Sequence, residues 1–298
     1  MSNLARRSFA FLLPAALTLG SLAGHARAEF AVALGATGQF TNALARFDSA
    51  SPAAATVIGI TGLATGVTIN SIDYRPANGL LYGLGSNNSL YAINSTTGTA
   101  TFVSTLSVPT GAGQVSIDFN PTVDRLRVVT STGQNLRINV DTGAVTVDTP
   151  LTAQNVVGVS YTNSLPGATS TTLYDLTYNN NTFSLNTQAP PNDGVVNPIG
   201  TTGITSPTSL VGFDISGATG LAYVAYNSSA SIAGNTSVLS TINLTTGNVS
   251  SVNFLDGAGF QVRGLSVQTV PEPASLAMLG LGLAGVGLLA RRRAGLIG

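Results

Sequence analysis

The sequence predicts an all-β fold, a propeller of five four-stranded blades, on three observations. Across residues 30–269 apolar and polar residues alternate over short runs rich in Thr, Ser, Asn and β-branched side chains, the two-residue period of half-buried strands. Glycine-bearing turns such as Thr97-Gly98, Asp141-Thr142-Gly143 and Thr246-Gly247 separate the runs, and no stretch carries the 3.6-residue period of a long helix. One unit then recurs along the domain, and self-similarity at roughly 40–55 residues marks a repeat architecture.

Each unit opens on a short strand with a polar residue at its third position. The openings read S-I-D-Y at 71–74, S-I-D-F at 116–119, G-V-S-Y at 158–161, G-F-D-I at 212–215 and G-L-S-V at 264–267, which spaces them 45, 42, 54 and 52 residues apart. Behind the first four openings a second strand is predicted at 80–84, 126–130, 172–178 and 221–226. A third follows at 90–94, 136–140 and 238–244, and a fourth at 99–106, 144–147 and 248–254. Four strands per unit is the arithmetic of a propeller blade. The last opening has no strands after it, whereas the head of the domain offers three without an opening, at 31–34, 43–47 and 55–58. Joining strand 262–268 to those three completes a fifth blade and closes the ring, which removes the unpaired sheet edges that invite aggregation. The third unit is irregular, so six blades stay open; a β-sandwich or β-solenoid is the alternative architecture.

The two ends are addresses. Arg6 and Arg7 precede an apolar run at 9–22, and Ala26-Arg27-Ala28 supplies the small residues a signal peptidase requires, so a secretory signal over 1–28 is expected to be cut before Glu29. The arginine pair leaves Sec and twin-arginine export both open. At the other end Val270-Pro271-Glu272-Pro273 leads into an apolar run at 274–290, followed by Arg291, Arg292 and Arg293. A helix of that length spans about 26 Å, slightly short of a ~30 Å hydrocarbon core, with arginines able to snorkel and hold their end in the cytoplasm. The organisation expected is therefore a signal at 1–28, a propeller domain at 29–269, a sorting segment at 270–293 and a tail at 294–298.

Composition excludes several chemistries. The chain has no cysteine and its one histidine, His25, lies in the signal, so the domain carries no Ser-His-Asp triad, Cys-His pair or His-ligated zinc. Between 29 and 269 Glu29 and ten Asp face six Arg, with lysine absent from the whole chain. That acidic balance argues against nucleic acid, whose binding needs clustered Lys and Arg. No P-loop, dinucleotide fingerprint or nucleophile elbow stands in a credible setting.

The V-P-E-P motif, apolar glycine-rich run and arginine cluster resemble the PEP-CTERM sorting signal, with Pro271, Glu272 and Pro273 matching its recognition motif. The resemblance implies transient anchoring in the inner membrane, processing by a membrane exosortase in an exopolysaccharide-producing bacterium, and release to the surface or matrix. Within the domain, Y-R-P-A-N-G-L-L-Y at 74–82 and L-Y-A-I-N-S-T-T-G at 90–98 resemble the blade grammar of secreted bacterial propellers. Five further segments, at 118–129, 134–137, 161–163, 172–175 and 190–194, together resemble a bacterial domain-of-unknown-function family of predicted secreted propellers. That likeness implies a fold and no chemistry.

Two constellations are candidates for function. The repeated polar position gives Asp73, Asp118, Ser160, Asp214 and Ser266, which a propeller brings to its axis as a ring of hard oxygens suited to Ca²⁺. The alternative role for such side chains is to bond backbone groups locally. Arg125, Arg127 and Arg137 form a second cluster that could grip a carboxylate or acidic sugar, or tie strands together with the neighbouring aspartates. The function expected is a noncatalytic binding or structural propeller, with matrix polysaccharide or protein as partners; the alternative is a cation-assisted hydrolase or lactonase using Asp73, Asp118 and Asp214.

Overall fold

A computed structural model describes residues 28–204, 207–228, 236–255 and 259–268. The expected signal up to residue 27 and sorting segment from 270, including its apolar run, lie outside the described residues. Among the described residues no helix is long and apolar enough to cross a membrane.

Among the described residues the alternating runs form twenty strands. The first three are β1 (Phe30–Gly35), β2 (Ala43–Asp48) and β3 (Thr56–Gly59). Blade I follows with β4 (Ile69–Tyr74), β5 (Leu81–Gly85), β6 (Ser89–Ile93) and β7 (Ala100–Thr105). Blade II holds β8 (Val115–Asn120), β9 (Arg125–Thr130), β10 (Asn135–Asn139) and β11 (Ala144–Val147). Blade III holds β12 (Val156–Tyr161), β13 (Leu173–Asn179), β14 (Thr182–Gln188) and β15 (Val196–Thr201). Blade IV holds β16 (Pro207–Ile215), β17 (Ala222–Ser228), β18 (Thr236–Ile242) and β19 (Val249–Phe254). The last strand, β20 (Val262–Val267), returns to pair antiparallel with β1. The result is five four-stranded antiparallel sheets, the closing one ordered β20-β1-β2-β3. The question of a sixth blade is settled at five.

Blade III accounts for the irregular unit. Its β13–β14 hairpin turns on Asn180 and Asn181, both left-handed at φ 50° and 58°, the backbone a type I′ turn requires and asparagine tolerates. Pro198 sits in β15, an outermost strand, where proline's missing N–H costs no ladder bond.

Burial runs from axis to rim. The innermost strands are buried almost throughout, while β3, β7, β11 and β15 expose half or more of their side chains. Apolar side chains fill the spaces between successive blades. Leu84 and Leu90 of blade I meet Phe119, Leu126 and Leu136 of blade II, and Leu176 and Leu185 of blade III meet Phe213 and Val224 of blade IV. Glu29, the residue after the expected cleavage point, is buried: its carboxylate accepts from the hydroxyls of Tyr223 (2.9 Å), Thr219 (3.2 Å) and Ser216 on blade IV. The closing blade is thus latched to its neighbour from its first turn.

The T-G turns between third and fourth strands also lock blades. In blade II Gly143 donates its N–H to Asn139 O (2.8 Å) at φ 75°, and a Cβ there would lie 2.0 Å from Thr105 O of blade I. Gly220 has a similar φ of 72° but open space around it. Gly143→Ala is therefore expected to cost more than Gly220→Ala, on the order of 3 kcal/mol against about 1 for the backbone penalty alone, as measured by urea denaturation of the two variants.

Candidate functional site

The axial face of each innermost strand has no ladder neighbour, because the five sheets are separate. Its outward N–H groups need acceptors nonetheless. The repeated polar position supplies them. Asp73 Oδ2 accepts from Phe119 N (2.7 Å), Asp118 Oδ1 from Tyr161 N (2.9 Å), Ser160 Oγ from Ile215 N (2.9 Å), Asp214 Oδ2 from Val267 N (2.6 Å) and Ser266 Oγ from Tyr74 N (3.0 Å). Every bond runs from one blade's polar residue to the residue just after the equivalent position in another blade. The fifth returns to the first, so the circuit closes. The two serines also donate, Ser160 to Asp214 Oδ1 (2.9 Å) and Ser266 to Asp73 Oδ1 (2.8 Å). Two residues earlier Ser71 and Ser116 repeat the device, accepting from Ile117 N (3.3 Å) and Val159 N (3.0 Å).

The structure brings Asp73, Asp118 and Asp214 together, with one carboxylate oxygen from each within 4.8 Å of the others. The carboxylates converge, and each already holds an inter-blade bond to a backbone N–H. They are enclosed, at 5%, 2% and 4% exposure. Burial raises the pKa of all three. Asp118 stands well above the carboxylate range because Asp73 and Asp214 add their repulsion to that burial, and Asp73 does so with Asp214 beside it. Asp214 rises only to about 6, since backbone N–H donors and the Ser160 hydroxyl favour its charged form. Such a trio holds protons at neutral pH or shares a divalent cation, for which three hard oxygens are a suitable partial ligand set.

The arginine cluster divides. Arg127 and Arg137 are direct cross-strand partners on β9 and β10, a like-charge pair reconciled by Asp148, which accepts from Arg127 Nη1 (2.7 Å) and from Arg137 Nε (2.7 Å) and Nη2 (2.8 Å). Burial alone would raise the Asp148 pKa; the bonds from Arg137 and Arg127 outweigh it and hold the carboxyl below its usual range. Arg127 is buried at 1% exposure and also donates to Asn135, to Asn192 and to the hydroxyl of Tyr161 on blade III. Arg125 is exposed and donates to the carbonyls of Val123 and Asp124. The three arginines do not share one surface.

Two participants are not legible in the sequence. Asp124 and Asp141 pair with Arg75 of blade I, which grips both carboxylates at 2.6–3.0 Å and lies over the Tyr82 ring; a partner across the blade gap leaves no local signal. Asp175 on β13 is fully buried, and neither carboxylate oxygen finds a donor among the described residues. Burial pushes its pKa up to about 8, with Arg127 opposing.

Residues 43–266 match a family model described as Domain of unknown function (DUF4394). The chain belongs to the DUF4394 family. Residues 269–293 match the PEP-CTERM protein-sorting motif, which marks an exported DUF4394 protein sorted at the membrane by exosortase. No curated protein matches the chain. Among solved structures the DUF4394 chain is similar to a structural genomics protein of unknown function from Bacteroides thetaiotaomicron VPI-5482, at 17% identity over 79% of this chain and 59% of that one, with a TM-score of 0.47. It is similar also to the Dos1 propeller, at 12% identity over 79% of this chain and 61% of that one, with a TM-score of 0.39. The DUF4394 chain thus spans about three fifths of the length of each.

A carboxyl whose folded pKa exceeds its unfolded value binds more protons in the folded state, so its contribution falls as pH rises between the two values. Asp73, Asp118, Asp175 and Asp214 all have this sign, and no histidine of the domain titrates in the same window. In metal-free buffer the urea midpoint is expected to decline from about pH 4 to about pH 8. Asp118→Asn, which keeps an acceptor for Tyr161 N–H, flattens the decline, whereas Asp118→Ala loses about 1–3 kcal/mol at acid pH as well.

Proposed function

We propose that the chain is an exported noncatalytic propeller, displayed on the surface or released into the matrix of an exopolysaccharide-producing bacterium, where it binds matrix glycans or proteins or serves as scaffold. The observation that carries this reading is the closed axial circuit. All five repeated polar side chains are engaged in holding another blade, and the carboxylates among them are enclosed. A hydrolase built on Asp73, Asp118 and Asp214 needs those groups facing a substrate. The Arg75 and Arg127 networks likewise spend their charge between blades. The sorting motif supports display through export, signal-peptidase cleavage and a transient stay in the inner membrane.

The convergence of the three carboxylates within 4.8 Å favours a second reading, a Ca²⁺ or Mg²⁺ ion on the axis. Here the ion relieves the mutual repulsion of the ring and stabilises the fold without a catalytic step.

Replacing Pro271, Glu272 and Pro273 together by alanine is expected to leave the chain in the membrane fraction of an exosortase-bearing host, while wild type reaches the surface or medium; equal fractionation of the two, followed by immunoblot, would overturn sorting through this motif. For the domain, ester, lactone and glycoside substrates are expected to show no turnover with or without Ca²⁺. A Ca²⁺-induced rise in melting temperature that disappears in Asp118→Asn would establish the axial ion, and turnover lost in the same variant would sink the noncatalytic reading.

A further inference from the structure

Three positions before the axial ring, at the opposite end of the innermost strands, the five equivalent residues are Asn70, Val115, Val157, Val211 and Arg263. All five line one cavity of about 120 Å³, the mouth of the propeller axis. The cavity is shallow, because the strands close in behind it: a Cβ added at Gly212 would lie 2.4 Å from Leu265 N of the next innermost strand. Gln114, also in the lining, donates its side-chain amide to Ser209 Oγ (2.9 Å), joining blade II to blade IV at the mouth.

Arg263 differs from the arginines that tie blades together. Arg75 and Arg127 are matched to carboxylates. Arg263, half-buried, donates from Nη1 to Ile69 O (3.3 Å), and its Nε is buried without an acceptor among the described residues. No carboxylate among the described residues pairs with it, and burial lowers its pKa. An arginine remains charged under these conditions, and a desolvated guanidinium with an unmet donor costs free energy unless an acceptor arrives. In a domain that is otherwise acidic this is a cationic fork placed in a concave socket that sets the amides of Asn70 and Gln114 beside the side chains of Val115, Val157, Leu210 and Val211, a mixed lining able to orient a small polar ligand.

We propose that this mouth is a binding site for an oxyanion-bearing small molecule or chain end, whose planar or tetrahedral oxyanion pairs with Arg263. Asn70, on the adjoining blade, offers its amide beside the anion. Val211, on the innermost strand flanking Arg263 on the other side, and Val115 and Val157 across the mouth form the apolar wall, which suits the carbon skeleton that carries a carboxylate. The shallow depth admits a terminal group and excludes a threaded chain. The site rests on the noncatalytic binding reading and gives it a ligand class.

The test uses the full chain purified in mild detergent, titrated calorimetrically with sodium glucuronate, with neutral glucose and with inorganic sulfate. Saturable heat is expected for glucuronate at a dissociation constant of about 1 mM or tighter, and none for glucose. Arg263→Gln is expected to weaken binding at least tenfold, and Arg263→Lys less. The melting temperature of Arg263→Gln without ligand should equal or exceed that of wild type, since the change removes an unmet buried donor; a structural clamp would melt lower. Sulfate binding alone supports the site with an isolated oxyanion as its ligand. No saturable heat from either anion, or undiminished binding in Arg263→Gln, overturns it. Hydrolysis of a methyl glucuronoside by a chain that also binds glucuronate would keep the site and remove the noncatalytic reading, so the two fail separately.

Discussion

The structure depends on one constraint at its centre. Five separate sheets point their innermost strands at a common axis, and those strands carry backbone N–H groups that no strand is there to receive. Water serves this purpose at an ordinary sheet edge, but the axis here is packed. A short acceptor side chain at one repeated position meets the need, and aspartate and serine are the residues whose reach allows it. Each bond costs desolvation and offsets it by pairing a donor that would otherwise be orphaned.

Meeting the need with carboxylates has electrostatic consequences. Three of five acceptors are aspartates, and placing them within 4.8 Å of one another raises their affinity for protons or cations. The fold therefore couples ring closure to protonation at the same atoms. The spaces between blades follow a related logic. Blades I and II meet through a broad apolar face, supplemented by Arg75 at the rim, whereas blades II and III have a smaller apolar cluster around Val156, Val159 and Tyr161. Arg127, Asp148, Asn135 and Gln188 fill the remainder with hydrogen bonds. Such a polar interface fixes geometry more than it adds stability.

Much of the fold is legible in the sequence because a propeller repeats its sequence logic. The five openings, the closing partnership of β20 with β1 and the equivalence of Asp73, Asp118, Ser160, Asp214 and Ser266 all follow from spacing. Strands β14 and β15 are hidden because an Asn-Asn turn replaces the expected glycine and a proline interrupts an edge strand. The ring's task is harder to read: periodicity aligns equivalent positions but does not say which neighbouring atom each meets. The charged cluster of blade II suggests partners close in sequence, yet Asp124 and Asp141 belong to Arg75, 49 and 66 residues away. Arg263 leaves no sequence signal because its significance is a missing partner, which only packing reveals.

The closing blade has a temporal meaning. The chain is synthesised in order from its N-terminus, so β1 to β3 arrive first and β20, their innermost partner, arrives last. Until then the first three strands lack their axial member, and the circuit through Ser266 is open at Tyr74. The final strand stands immediately before the sorting segment. Completion of the ring and arrival of the membrane address are consequently near-simultaneous events, and the protein becomes a finished object only at the moment its tether comes into place.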